Sequence, residues 1–103
     1  MKNLTQDQWK EGVKKDNNVV ILDVRTEEEF IEGYIPNARN LDIHKSEEFM
    51  DEINKMDKSK EYYVYCRSGA RSGQACAIMQ QQGFEDAYNL MGGITEWDGE
   101  ISK

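Results

Sequence analysis

Apolar positions follow two rhythms along this chain. Val19, Val20, Ile21 and Leu22 form an unbroken apolar run, the pattern of a strand covered on both faces, as in a parallel sheet. Tyr62, Tyr63, Val64 and Tyr65, all aromatic or β-branched, predict a second such strand. Residues 41–43 and 87–90 predict two short ones. Helical spacing fills the intervals. Thr5 three residues ahead of Gln8 is a capping-box pattern, and Trp9 with Val13 is an apolar i, i+4 pair, so a first helix is expected before Asp16, Asn17 and Asn18 break it. Thr26 is placed to cap a short helix through Glu29 and Phe30 that Gly33 ends. The segment from Tyr34 to Asn40 holds the single Pro, Pro36, and reads as a loop. Ser46 heads an amphipathic helix carrying Phe49, Met50 and Ile53 and ending near Lys58. A further helix is expected over residues 71–82 with Gly83 as its stop, and Gly92-Gly93 leads to a last helical turn containing Trp97.

Strands alternating with helices at such short intervals specify an α/β domain with a mainly parallel sheet and helices on both faces. Ligands of such sheets bind beyond the C-terminal ends of the strands. The 103 residues suit one domain spanning 1–103, without a repeat or a linker.

Charge narrows the partners. Thirteen Lys and Arg against twenty Asp and Glu leave a net charge of −7, which repels nucleic acid and anionic lipid. No apolar stretch reaches the length of a signal peptide core or a membrane span, so a cytoplasmic protein is expected. Two Cys, at 66 and 76, are too few for a disulfide framework and lack the paired spacing of a zinc site. Reduced thiols, no metal and no cofactor are the expectation.

The candidate chemistry lies where the strand ending at Tyr65 gives way to a helix. Cys66 sits there, with Ser68, Gly69, Ser72 and Gly73 around it. Small residues at a helix N-terminus can turn backbone N–H groups inward as an anion nest reinforced by the helix dipole. The anion here is Cys66 itself. With Arg67 and Arg71 nearby, its pKa is expected to fall, giving an activated nucleophile without a partner base. A free Cys at a strand end is commonly a small buried hydrophobe, but these flanks are the opposite of an inert apolar site. Cys76, beside Ala75 and Met79 in mid-helix, reads as packing. Asp23 and Arg25 flank Val24, and Glu29, four residues beyond Arg25, is spaced for a local ion pair with it. His44, the only His, falls in the polar run HKSEE and reads as solvated. Gly92-Gly93 lacks the spacing of a phosphate loop and reads as a turn.

The blocks LDVRTEEEF, GYIPNARN, CRSGARS and LMGGITEW, in this order and spacing, resemble the signature blocks of a single-domain rhodanese, and the resemblance covers the chain from Thr5 to Trp97. The resemblance implies a five-stranded parallel sheet between helices and a thiosulfate sulfurtransferase. In it, Cys66 is the persulfide-forming nucleophile and Arg67, Ser68, Gly69, Ala70 and Arg71 cradle the transferred group. Sulfane sulfur would pass from an anionic donor such as thiosulfate to cyanide or a thiol. Asp23, Arg25 and Glu29 become structural, with direct substrate contact by Arg25 as the alternative. The loop has six positions from Cys66 to Arg71, one fewer than in the related cell-cycle dual-specificity phosphatases, which favours sulfur over phosphate. Tyr34 stands where many members have His and Asn37 where many have Gly, both outside the loop. A persulfide relay or binding module for a protein acceptor fits the same residues. A phosphatase or arsenate reductase fits them less well. Donor, acceptor and oligomeric state are left open.

Overall fold

The computed structural model describes residues 2–15 and 17–103; Asp16, one of the expected helix breakers, lies outside the described residues. In chain order the elements are β1 (Lys2–Leu4), α1 (Gln6–Lys14), β2 (Val19–Asp23), α2 (Glu27–Ile31), β3 (Arg39–Asn40), α3 (Ser46–Lys55), β4 (Glu61–Tyr65), α4 (Ala70–Gln81), β5 (Asp86–Leu90) and a 3-10 turn (Ile94–Glu96). The strands form one five-stranded sheet in the order β1-β5-β4-β2-β3, and every neighbouring pair is parallel.

The two-sided burial implied by the apolar runs shows in strand alternation. Tyr62, Val64 and then Cys66 face one side with Leu22, against Phe49 and Ile53 of α3 and Ala75, Cys76 and Met79 of α4. Tyr63 and Tyr65 face the other with Leu90, against Trp9 of α1 and Ile35. Trp9 is fully buried and meets Tyr63, Tyr65 and Trp97 edge to face. Its indole N–H is the one buried side-chain polar atom without a hydrogen-bond partner among the described residues. No described helix is long and apolar enough to cross a membrane.

The capping box of Thr5 with Gln8 forms as expected, and the cap expected at Thr26 forms as a full box with Glu29. The main departures concern β1, β3, α3 and the last turn. β1 was not anticipated, because only Leu4 of its three residues is even half-buried and the strand leaves no apolar run. It is held by its register with β5, Leu4 opposite Leu90. The strand expected at 41–43 lies earlier and is only two residues long. Leu41 and Ile43 still donate to the Asp23 and Val24 carbonyls, at 2.8 and 3.2 Å, but Asn40 turns its amide onto the Asp23 and Arg25 carbonyls and interrupts the ladder. Ser46 is the first residue of α3 rather than its cap, the cap position being Lys45, and the helix stops at Lys55 because Met56 is extended. Trp97 follows the last helical turn instead of lying within it.

Gly12 lets α1 lie on the sheet. A Cβ there would fall 2.4 Å from Cε2 of Tyr63, whose side chain is buried between Trp9 and Tyr88. Replacing Gly by Ala inside a helix ordinarily gains up to about 1 kcal/mol, whereas overpacking costs about 1–3 kcal/mol. Gly12→Ala is therefore expected to lower the urea midpoint with an unchanged slope. A raised midpoint would show that Tyr63 swings aside freely.

Candidate active site

Strand β4 ends at Tyr65 and delivers Cys66 to the C-terminal edge of the sheet, where the loop runs into the 12-residue α4. Gly69 occupies the N-cap of α4 with φ 107°, a left-handed conformation that favours glycine. In that conformation its N–H points back at the Cys66 Sγ, 3.1 Å away. The Ser72 hydroxyl lies 3.3 Å from the same sulfur, and the backbone N–H groups of Ser68 and Ser72 also face it. Cys66 is only 1% exposed. Burial by itself raises the thiol pKa, but the bonds from Ser72, Gly69 and Ser68 outweigh it and hold the pKa below that of an ordinary cysteine. The inward N–H groups of the expected anion nest thus account for much of the lowering, joined by the Ser72 hydroxyl.

The N–H groups can turn inward because the carbonyls are tied down on the other side. The Cys66 carbonyl accepts from the Ile94 N–H at 3.0 Å, and the Arg67 carbonyl accepts from the Thr95 N–H at 3.1 Å and the Thr95 hydroxyl at 2.8 Å. Gly93, with φ 59°, lies directly against these peptides. A Cβ on it would fall 2.3 Å from the Arg67 oxygen and 2.7 Å from the Cys66 oxygen. Gly92-Gly93 is thus both the expected turn and a buttress of the Cys66 loop. The available signal was topological: a Gly pair ending the strand that follows the Cys-bearing one falls beside it if the two strands are neighbours.

The ion pairs differ from the expected ones. Arg25 does not bond Glu29. Its guanidinium pairs with the fully buried Asp23, 2.6 Å from Nη2 to Oδ2, and also donates to the Gly33 carbonyl at 2.7 Å. A buried carboxylate requires such a partner, and Asp23, two residues away on the strand end, claims the guanidinium first. Arg25 is left 6% exposed, over the Tyr65 ring. Glu29 instead reaches across to Arg71, with two parallel bonds of 2.7 and 3.0 Å. The Arg71 bonds, with help from Thr26, bring the Glu29 carboxyl down to about 2.

Of the expected loop residues, Arg67, Ser68 and Ala70 are exposed around the mouth, Gly69 lines the cradle, and Arg71 is half-buried and held by Glu29. Ser72, expected beside Cys66 but not among the cradle residues, and Asn89, which the sequence does not point to, complete the site: the Ser72 hydroxyl bonds Asn89 Oδ1, and Asn89 Nδ2 donates to the Gly69 carbonyl. Cys76 is fully buried in the α3–α4 core, and burial pushes its thiol up to about 12. His44 is exposed. A cleft of about 440 Å³ lined by Lys10, Val13, Ile35 and Trp97 opens on the α1 face, away from the loop.

Two outcomes follow from this geometry. Gly93→Ala should push the Arg67 peptide aside and move the pH profile of Cys66 alkylation upward, toward the pKa of about 8.5 of a free thiol. An unchanged profile would remove the buttress role. The Glu29–Arg71 pair, whose carboxyl pKa is depressed in the fold, should add stability that is fully present above pH 4.5 and lost as the pH falls toward about 2. Glu29→Gln should therefore be less stable than the native protein at neutral pH, by on the order of 1 kcal/mol, and the gap should close in acid. A gap independent of pH would contradict the assignment.

A family model described as Rhodanese-like domain matches residues 5–100. Over 80 residues the chain is 45% identical to a sulfurtransferase of Allochromatium vinosum, an alignment covering 78% of this chain and 72% of that one. It is 36% identical to the thiosulfate sulfurtransferase GlpE of Coxiella burnetii over 83 residues, 81% of this chain and 75% of that one. The crystal structure of a rhodanese-like domain protein from Staphylococcus aureus superposes with a TM-score of 0.84 at 35% identity, covering 99% and 97% of the two chains. In sequence and in fold alike, the chain belongs to the rhodanese-like domain family.

Proposed function

We propose that this protein is a sulfurtransferase that moves a sulfane sulfur from an anionic donor such as thiosulfate to cyanide or a thiol through a persulfide on Cys66. The observation that carries the reading is the Cys66 Sγ at the floor of a cradle made by the Gly69 N–H, the Ser72 hydroxyl and the neighbouring loop N–H groups. In the first step the thiolate attacks the outer sulfur of thiosulfate. The bond between the two donor sulfurs breaks, and its electron pair leaves with sulfite. The outer sulfur, now the charged end of the persulfide, takes over the inward N–H groups, so the anion is stabilised without rearrangement of the loop. Cyanide or a thiolate then attacks that sulfur, leaves with it, and restores the Cys66 thiolate. Exposed Arg67 at the mouth adds attraction for the anionic donor.

Phosphoryl transfer is less well served. Both arms of the Arg71 guanidinium are taken by Glu29, so the fork that would grip a phosphoryl group is occupied. The six-position loop also leaves less room for a tetrahedral group than for one sulfur. The relatives that bear sulfurtransferase names support the same choice.

Incubation with thiosulfate should add the mass of one sulfur atom to the native protein, removable by a thiol reductant. Cys66→Ser should add none and lose thiosulfate-to-cyanide transfer while keeping its fold, since a hydroxyl lacks the acidity and polarisability of the thiol. Cys76→Ser should keep most of the transfer, because a buried thiol with a pKa near 12 supplies no thiolate at neutral pH. A folded Cys66→Ser protein that still takes up sulfur would overturn the proposal.

A further inference from the structure

Ser72 is fully buried and its hydroxyl has two neighbours, the Cys66 Sγ at 3.3 Å and Asn89 Oδ1. The orientation of the Asn89 amide is fixed by its other contacts. Nδ2 faces the Gly69 carbonyl at 3.1 Å, a group that can only accept, and Asn3 Oδ1 of β1 at 2.9 Å. Oδ1 must therefore be the atom turned to Ser72, and it too can only accept. A hydroxyl carries one proton, so Ser72 cannot donate to both Asn89 and a Cys66 thiolate.

We propose that Asn89 is a positioning residue that sets the charge state of Cys66 by competing with it for the single hydroxyl proton of Ser72. While Cys66 is a thiol, the chain is complete: the S–H donates to Ser72 Oγ, and Ser72 donates to Asn89 Oδ1. When the thiol loses its proton to solvent, the hydroxyl rotates to the sulfur and Asn89 Oδ1 is left without its donor. When Cys66 gains the transferred sulfur, Sγ becomes a neutral bridging atom and the hydroxyl returns to Asn89. Asn89 thus favours the two uncharged states of Sγ over the thiolate that lies between them.

The proposal rests on Cys66 as the nucleophile but not on which sulfur donor it meets. The ionisable groups around the sulfur are Arg71 and Cys76 on α4 and Arg67 on the loop. Glu29 on α2 is held by Arg71, and Asp23 and Arg25 at the end of β2 hold one another. All are retained when Asn89 is changed. The Gly69 carbonyl also keeps a donor, the Gly73 N–H at 3.1 Å, so removing the Asn89 amide does not release the loop from α4.

The test is the pH profile of iodoacetamide alkylation, followed at Cys66 by peptide mass, in the native protein, Asn89→Leu, Ser72→Ala and the double variant. Asn89→Leu is close in size and frees the hydroxyl for the thiolate, so its profile should move down by about half to one pH unit, the worth of one neutral hydrogen bond. Ser72→Ala should move up, and the double variant should match Ser72→Ala, since without the hydroxyl there is nothing to compete for. If Asn89→Leu does not fold, Asn89→Ala also lacks Oδ1 and is read in the same way. An upward or absent shift on loss of Asn89 would mark it as a mere tether of the loop and overturn the proposal, as would a double variant differing from Ser72→Ala. Alkylation reads the thiolate directly, so a protein that took up no sulfur from thiosulfate would defeat the proposed function and leave this result intact.

Discussion

A buried sulfur anion needs donors on its inner side, and the structure around Cys66 is arranged to supply them. Sγ has almost no contact with solvent, so each hydrogen bond it lacks would fall as a desolvation cost on the charged form. The Gly69 N–H and the Ser72 hydroxyl meet that need from α4. They do so only because the loop carbonyls point the other way, onto Ile94 and Thr95. The sheet order makes this possible: β5 lies beside β4, so the chain leaving β5 passes the Cys66 loop and brings Gly93 and Thr95 against it. On the opposite side, β2 lies beside β4, and α2, which follows β2, sets Glu29 against Arg71.

Magnitudes decide which effect governs the charge on Cys66. Two Arg in a short loop suggest stabilisation by charge, yet Arg71 has its own carboxylate and Arg67 is solvated. Glu29 already neutralises Arg71 through two parallel bonds, so the net field that this pair places on Cys66 is much weaker than that of a free charge. A hydrogen bond to a charged, buried acceptor is worth about 1.5–3 kcal/mol, and several converge here. Against burial, hydrogen bonds from the Ser72 hydroxyl and from the Ser72, Gly69 and Ser68 N–H groups are what hold the Cys66 pKa down, and the arginines shape the mouth and tie α4 to α2.

What could be read from residue order was what depends on near neighbours. The caps at Thr5 and Thr26, the runs of β2 and β4, and the placing of Cys66 between a strand and a glycine-led helix all rest on contacts within a few residues. The features that escaped depend on distant partners. β1 has almost no apolar signal and exists through its pairing with β5. Glu29 has an arginine four residues before it, but bonds one 42 residues after it, because Asp23 needs the nearer guanidinium. Asn89 is an ordinary strand residue by its sequence neighbours, and its role comes from Ser72 of α4, 17 residues before it.

In the proposed reaction one sulfur is carried on Cys66 and held by the N–H groups of its loop. The most direct measurement is a crystal structure of the protein treated with thiosulfate and rapidly frozen. One added atom should be bonded to the Cys66 Sγ, within hydrogen-bond distance of the loop N–H groups, with Arg71 still paired to Glu29. Density for an intact anion gripped by an Arg71 released from Glu29, or an added sulfur on Cys76 with Cys66 unmodified, would contradict it.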